Sequence, residues 1–228
     1  MFWKRKAPVE TCADALYASL KKAITQGGRI RVEDLVSAAA AIVGEAAIAK
    51  AGDYDPRKHN HPPGAQVFST TINQLICDDK SFHEAPPSSI VGDLRERLTA
   101  CGFSEPDFPR LEDVFRHFAE DIGKKEDWGQ VPLSIAPQHH PFAQPLRIAY
   151  EARSMVDASL SPLGDDASKR LRATTAVLAR ALCETRDALT RIVSTTLAIE
   201  TVNGMAKTAP MTAAAMAKML EAGRTKAD

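Results

Sequence analysis

The sequence predicts an all-α protein, a multi-helix bundle with one overlong C-terminal amphipathic helix. Three observations carry this expectation. Apolar residues recur at spacings of three and four along most of the chain, Gly and Pro punctuate those runs where helices start and stop, and neither residue interrupts the chain between Asp165 and Asn203. A length of 228 residues allows one large helical domain or a domain with a helical appendage, at roughly 100 to 200 residues per domain. Hydrophobic residues at 44% and charged residues at 25% are enough for a packed core, so wholesale disorder is not indicated.

From Pro8 to about Gln26, Val9, Cys12, Ala13, Leu16, Tyr17, Leu20 and Ile24 keep helical spacing, Pro8 suits a first turn, and Gly27-Gly28 stop the run. Glu33 to Ala51 is apolar nearly all round between Val36 and Ala49 and ends at Gly52, which marks a buried central helix. Asp53-Tyr54-Asp55-Pro56 and Pro62-Pro63-Gly64 bracket a loop. Ala65 to Cys77 reads as a helix, although its β-branched content keeps a strand open. Ser89 to Cys101 is a further helix, with Asp93 spaced to pair with Arg97 and Gly102 as its stop, and Pro109 to Ile122 another. Between Gly123 and Pro145 no period persists, which makes this the longest irregular segment and the natural boundary. The expected organisation is a helical core domain over 1–126, a loop or linker over 127–145, and a helical hairpin with the C-terminal helix over 146–228.

Leu146 to Leu160 resumes helical spacing and Ser161-Pro162-Leu163-Gly164 makes a turn. Beyond it Leu171, Thr175, Leu178, Leu182, Thr185, Leu189, Ile192, Thr196, Ile199 and Asn203 alternate spacings of four and three, a heptad stripe on a helix roughly 60 Å long at 1.5 Å per residue. Val177, Ala181, Ala188, Val193 and Leu197 widen the stripe, so a bundle helix fits better than a two-stranded seam. Its first half is expected to pack antiparallel against Leu146 to Leu160. Its second half, with Leu189, Ile192, Thr196, Ile199 and Asn203, is then free for self-association or a protein partner. After Pro210, Met211, Met216, Met219 and Leu220 form a short stripe that reads as a frayed terminal helix or a docking segment.

Several function classes are disfavoured. Lys plus Arg balance Asp plus Glu at 29 each, so no overall field draws the chain to nucleic acid or anionic lipid, and the charges of the last third largely offset one another. The longest apolar stretch, Ala38 to Val43, falls far short of the ~20 residues a membrane span requires. The basic start, Met1 to Lys6, is followed by Pro8, Glu10 and Asp14 where a secretory signal needs an apolar run, so it reads as a tail. Cys12, Cys77, Cys101 and Cys183 lack paired spacing and fall among apolar positions. They are expected to be reduced core thiols, in keeping with the cytoplasm. No phosphate-binding glycine loop and no Gly-x-Ser-x-Gly is present.

One constellation carries metal chemistry. Asp53, Asp55, His59 and His61, with Glu45 one helix end away, combine carboxylates and imidazoles as a divalent transition metal requires. Glu45 is the acid of an otherwise apolar run, so burial there calls for an arginine, a metal or a proton. The same residues also make ordinary turns. Asp113, His117, Glu120 and Asp121 lie opposite Leu111, Phe115, Phe118 and Ile122 and read as a solvated face, and His139-His140 as an exposed loop. The expectation is a non-enzymatic helical adaptor or regulatory protein, without cofactor, acting through protein contacts of its C-terminal helix. The alternative is a metal-binding protein or metal-dependent enzyme using the loop at 53–61.

Overall fold

The computed structural model describes residues 7–25, 27–52, 64–67, 69–120, 131–215 and 217. Pro8 opens α1 (Pro8–Ile24), where its missing N–H is one that no helix would satisfy, and Cys12, Ala13, Leu16, Tyr17 and Leu20 share the buried face. α2 (Val32–Ala51) runs from an acidic first turn at Glu33 and Asp34 to Gly52, whose φ of 71° ends it in a left-handed turn. Every residue from Leu35 to Gly44 is buried, so α2 is enclosed on all sides as its composition predicts. Each large side chain removed from water there, such as Leu35 or Ile42, stabilises by about 1.5–3 kcal/mol.

The next helix, α3 (Thr70–Cys77), is shorter than the expected span from Ala65. Residues 65–67 are extended instead, because the backbone of 207–209 offers them partners: Val67 N–H donates to Lys207 O (2.7 Å) and Ala209 N–H to Ala65 O (2.7 Å). Ser69 then caps α3 by accepting Ile72 N–H. α4 (Ile90–Ala100) is capped by Ser89, which accepts Gly92 N–H, and the Asp93–Arg97 pair forms at 2.9 Å. α5 (Leu111–Glu120) buries Leu111, Val114 and Phe118, and α6 (Pro145–Leu160) ends in a turn at Ser161–Leu163.

The single overlong helix is not present. The chain forms α7 (Ala167–Thr185) and α8 (Arg191–Ala206), joined by a turn over 186–190 in which Ala188 N–H donates to Thr185 O. No Pro or Gly causes this break. Both helices pack along α2, which at 20 residues is about 30 Å long. A straight helix of twice that length cannot lay both halves against it. The expected hairpin with the preceding helix is likewise replaced: α7 packs on α2, α1 and α4, α6 on α1 and α2, and α5 on α8. Arg191 anchors the start of α8 by donating to Gly102 O (2.7 Å) and pairing with Asp107 (3.5 Å). Residues on both sides of the 127–145 segment share one hydrophobic core, with Leu16, Leu35 and Leu94 joined to Leu160, Leu178 and Leu197.

α2 and α8 approach each other closely. A Cβ on Gly44 would lie 2.4 Å from Met205 Cβ and 2.9 Å from Ala206 N, so only glycine permits this contact. Cys101 and Cys183 form a disulfide with Cα atoms 5.8 Å apart, tying the end of α4 to the end of α7, while Cys12 and Cys77 are buried free thiols. This corrects the expectation of four reduced thiols and removes its support for a cytoplasmic location. Among the described residues no strand is formed, and no helix is long and apolar enough to cross a membrane.

Candidate functional site

Of the residues singled out for metal chemistry, Glu45 is described, and Asp53, Asp55, His59 and His61 lie outside the described residues. Glu45 sits on α2 facing α6. Its carboxylate accepts from Arg153 Nε (3.1 Å) and Nη2 (2.6 Å), a two-point pair of the kind that offsets desolvation of both groups. Arg153 also donates to Met211 O. The pair lines a cleft of about 780 Å³ between α2, α6 and α7, with the Asp157–Arg170 pair further along the same cleft. Glu45, Arg153, Asp157 and Arg170 are thus engaged in two pairs. Among the described residues no group of three or more His, Cys, Asp or Glu side chains is placed to hold a metal.

The five positions expected to carry protein contacts are separated by the break. Leu189 and Thr196 are half-buried and Ile192 is exposed at 36%, whereas Ile199 and Asn203 are fully buried between the chain's own helices. A surface running along all five therefore does not exist.

A different surface is built at the start of α2. Arg31, just before the helix, donates from Nη1 to His140 O and from Nη2 to Gln138 O, both at 2.8 Å. Glu33 Oε1 lies 3.1 Å from His139 Nδ1, and because a carboxylate only accepts, that nitrogen carries the proton. His140 Nε2 in turn donates to Ile135 O at 2.9 Å. Asp34 Oδ1 accepts the Phe142 N–H at 2.8 Å. The two histidines are therefore fasteners, more enclosed than an exposed loop requires. Arg31, Glu33 and Asp34, at the start of α2, hold the loop from 138 to 142 at four points.

What this loop presents is apolar. Phe142 is 85% exposed, the most exposed large hydrophobic residue among those described, and the Arg31 guanidinium lies over its ring at 4.1 Å. Beside the ring runs a groove of about 280 Å³ between α1 and α6, floored by Leu20, Ile24, Ile148, Ala152 and Met155. Its polar rim is Asp34 and Glu151, both already engaged, the latter by Arg147 at 2.7 Å. The site has an apolar floor, an aromatic lip and satisfied polar groups around it.

Sequence reasoning missed Phe142 and Arg31. The available signal was a lone aromatic in a loop punctuated by Pro137, Pro141 and Pro145, which restrict the backbone on either side of it. Compared with known proteins, the chain matches no family model, no curated protein and no solved structure. Its function is accordingly read from this geometry.

Proposed function

We propose that the chain is a non-enzymatic helical adaptor or regulatory protein that binds a protein partner through Phe142 and the groove between α1 and α6. The observation that carries this reading is the Phe142 ring, held in water by a loop that Arg31, Glu33 and Asp34 fasten. Leaving a phenylalanine exposed forgoes about 1.5–3 kcal/mol of burial. A preorganised aromatic recovers that energy on binding without the cost of ordering a loop. The partner it suits is a polypeptide segment with apolar side chains to lay in the groove, a second copy of this chain included.

A photoreactive phenylalanine analogue at position 142 tests the proposal. Irradiation in cells is expected to trap one polypeptide, with sedimentation of the purified chain telling whether it is a second copy. Met155→Glu, on the groove floor, is expected to abolish the trapped species. An adduct indifferent to Met155→Glu, or no adduct above the background of an analogue at Arg172, an exposed position on α7, contradicts it.

A further inference from the structure

Glu200 and Lys207 are the charged residues buried among those described, at 3% and 8% exposure, and they do not neutralise each other. Lys207 Nζ donates to Asn203 Oδ1 at 2.7 Å and lies over the rings of Phe115 and Phe118, at 4.7 and 5.4 Å. Glu200 faces the other way, into a cleft of about 400 Å³ between α5 and α8. One oxygen, Oε2, accepts the Ser134 N–H at 2.9 Å, and no cationic side chain among the described residues pairs with the carboxylate. Burial pushes its pKa up, outweighing the Ser134 N–H bond and the nearby imidazoles of His117 and His140.

His117 Nε2, on another wall of the cleft, is buried and has no partner among the described residues, although its helix face was expected to be solvated, and with the proton on Nδ1 it is an acceptor. Thr196 gives its hydroxyl proton to Ile192 O at 2.6 Å, leaving its lone pairs toward the site. The rim guanidiniums of Arg110 and Arg116 are both drawn to Asp113. The buried carboxylate calls for donors and a positive charge, and the spent hydroxyl and the imidazole protonated on Nδ1 offer further acceptors beside it. A metal ion is a poorer fit than an organic cation, because although Asp113, His117, Glu120 and Glu200 all line the cleft, no three such side chains among the described residues are placed to hold one ion.

We propose that the α5–α8 cleft is a binding site for a small organic cation, an ammonium or guanidinium group, held by the Glu200 carboxylate with His117 Nε2 and Thr196 Oγ1 as further acceptors. Such a group occurs both in free amines and on lysine or arginine side chains of a polypeptide. This cleft shares no lining residue with the Phe142 groove, so either reading survives failure of the other.

Titration of the full chain with methylguanidinium, putrescine and N-acetylarginine amide, followed by NMR of the His117 ring, tests it. A saturable shift is expected with a midpoint on the order of 1 mM for fragments of this size. Preference for putrescine marks a free amine, and preference for the capped arginine marks a side chain. N-methylurea and 1,4-butanediol, neutral analogues of the first two, are expected to bind at least tenfold more weakly, as is methylguanidinium to Glu200→Gln. Equal response to charged and neutral probes, no saturable response to any cation, or undiminished binding by a folded Glu200→Gln overturns the proposal.

Discussion

The start of α2 and the cleft between α5 and α8 treat polar groups in opposite ways. At the first, Arg31, Glu33, Asp34, His139 and His140 are at or near the surface, where water would satisfy them, yet each is bonded to the protein. The product of all this bonding is an aromatic ring left in solvent. At the second, the Glu200 carboxylate and His117 Nε2 are removed from water and under-partnered. Surplus fastening around an exposed apolar group is what a macromolecular contact surface needs, because the ring must be presented rigidly. Missing partners around buried polar groups are what a small-ligand site needs, because the ligand brings them. The two regions therefore point to different kinds of ligand within one fold.

The scaffold common to both regions sets the largest expected effect. Replacing Cys183 with Ala opens a loop closed across 82 residues and is expected to cost about 4 kcal/mol of unfolding free energy, measured by urea titration. Both sites should remain formed below the lowered midpoint, and if either is lost while the fold persists, it depends on the α4–α7 tie. Next comes the latch itself. Arg31→Ala removes two charge-assisted bonds to the loop and the cover of the Phe142 ring, and is expected to cost about 2–3 kcal/mol. Amide exchange should quicken over 138–142 and stay unchanged at Ser134, where the cleft begins. Equal acceleration at both places would show that the two regions act as one unit.

Lys207 gives a smaller effect, read through pH. Burial pulls its pKa from 10.5 down to about 8, so between those values the unfolded chain binds more protons than the folded one. Stability is therefore reduced below pH 8 and recovers as pH rises, by about 1 kcal/mol between pH 8 and 9. Above that range Cys77 and Tyr17, both pushed up by burial, act in the opposite sense. Lys207→Met should flatten the rise, and a rise that persists in the variant belongs to another group. Glu200 has the reverse sign. Its pKa is raised, so stability falls as pH climbs from the unfolded value of 4.5 through the folded one. Glu200→Gln should thus be more stable than the parent at neutral pH, with the gain vanishing below pH 4.5, and a loss of stability at pH 7 would mean that the carboxylate is already paired.

Helices whose apolar period arises from local sequence were legible: α1, α2, α4, α5 and α6 run within a few residues of their expected spans, with Gly52 and Gly102 as the expected stops. What was not legible depends on distant partners. Residues 186–190 contain no Pro or Gly, only the mild turn and cap formers Asp187 and Thr190, and the break follows from the length of α2, against which both α7 and α8 must pack. Residues 64–67 leave the helical pattern because the chain at 207–209 bonds to them. The disulfide unites cysteines with no motif between them. Among site residues, an arginine partner for Glu45 was a stated alternative and Arg153 fills it, since a carboxylate in an apolar run demands compensation whatever the fold. His139 and His140 were visible as residues, but their binding to Glu33 and Ile135, and with it the exposure of Phe142, arises only when α2 and the loop meet.

The central claim is that Phe142 serves binding and not folding, and the most direct measurement is to determine both quantities on Phe142→Ala. An 85% exposed ring contributes little to the core, so unfolding free energy should change by no more than about 0.5 kcal/mol. Affinity for the polypeptide trapped at position 142 should fall by about 30-fold, the loss of a hot-spot residue worth roughly 2 kcal/mol. A variant that loses stability while binding that polypeptide as the parent does would make Phe142 part of the scaffold and contradict the account.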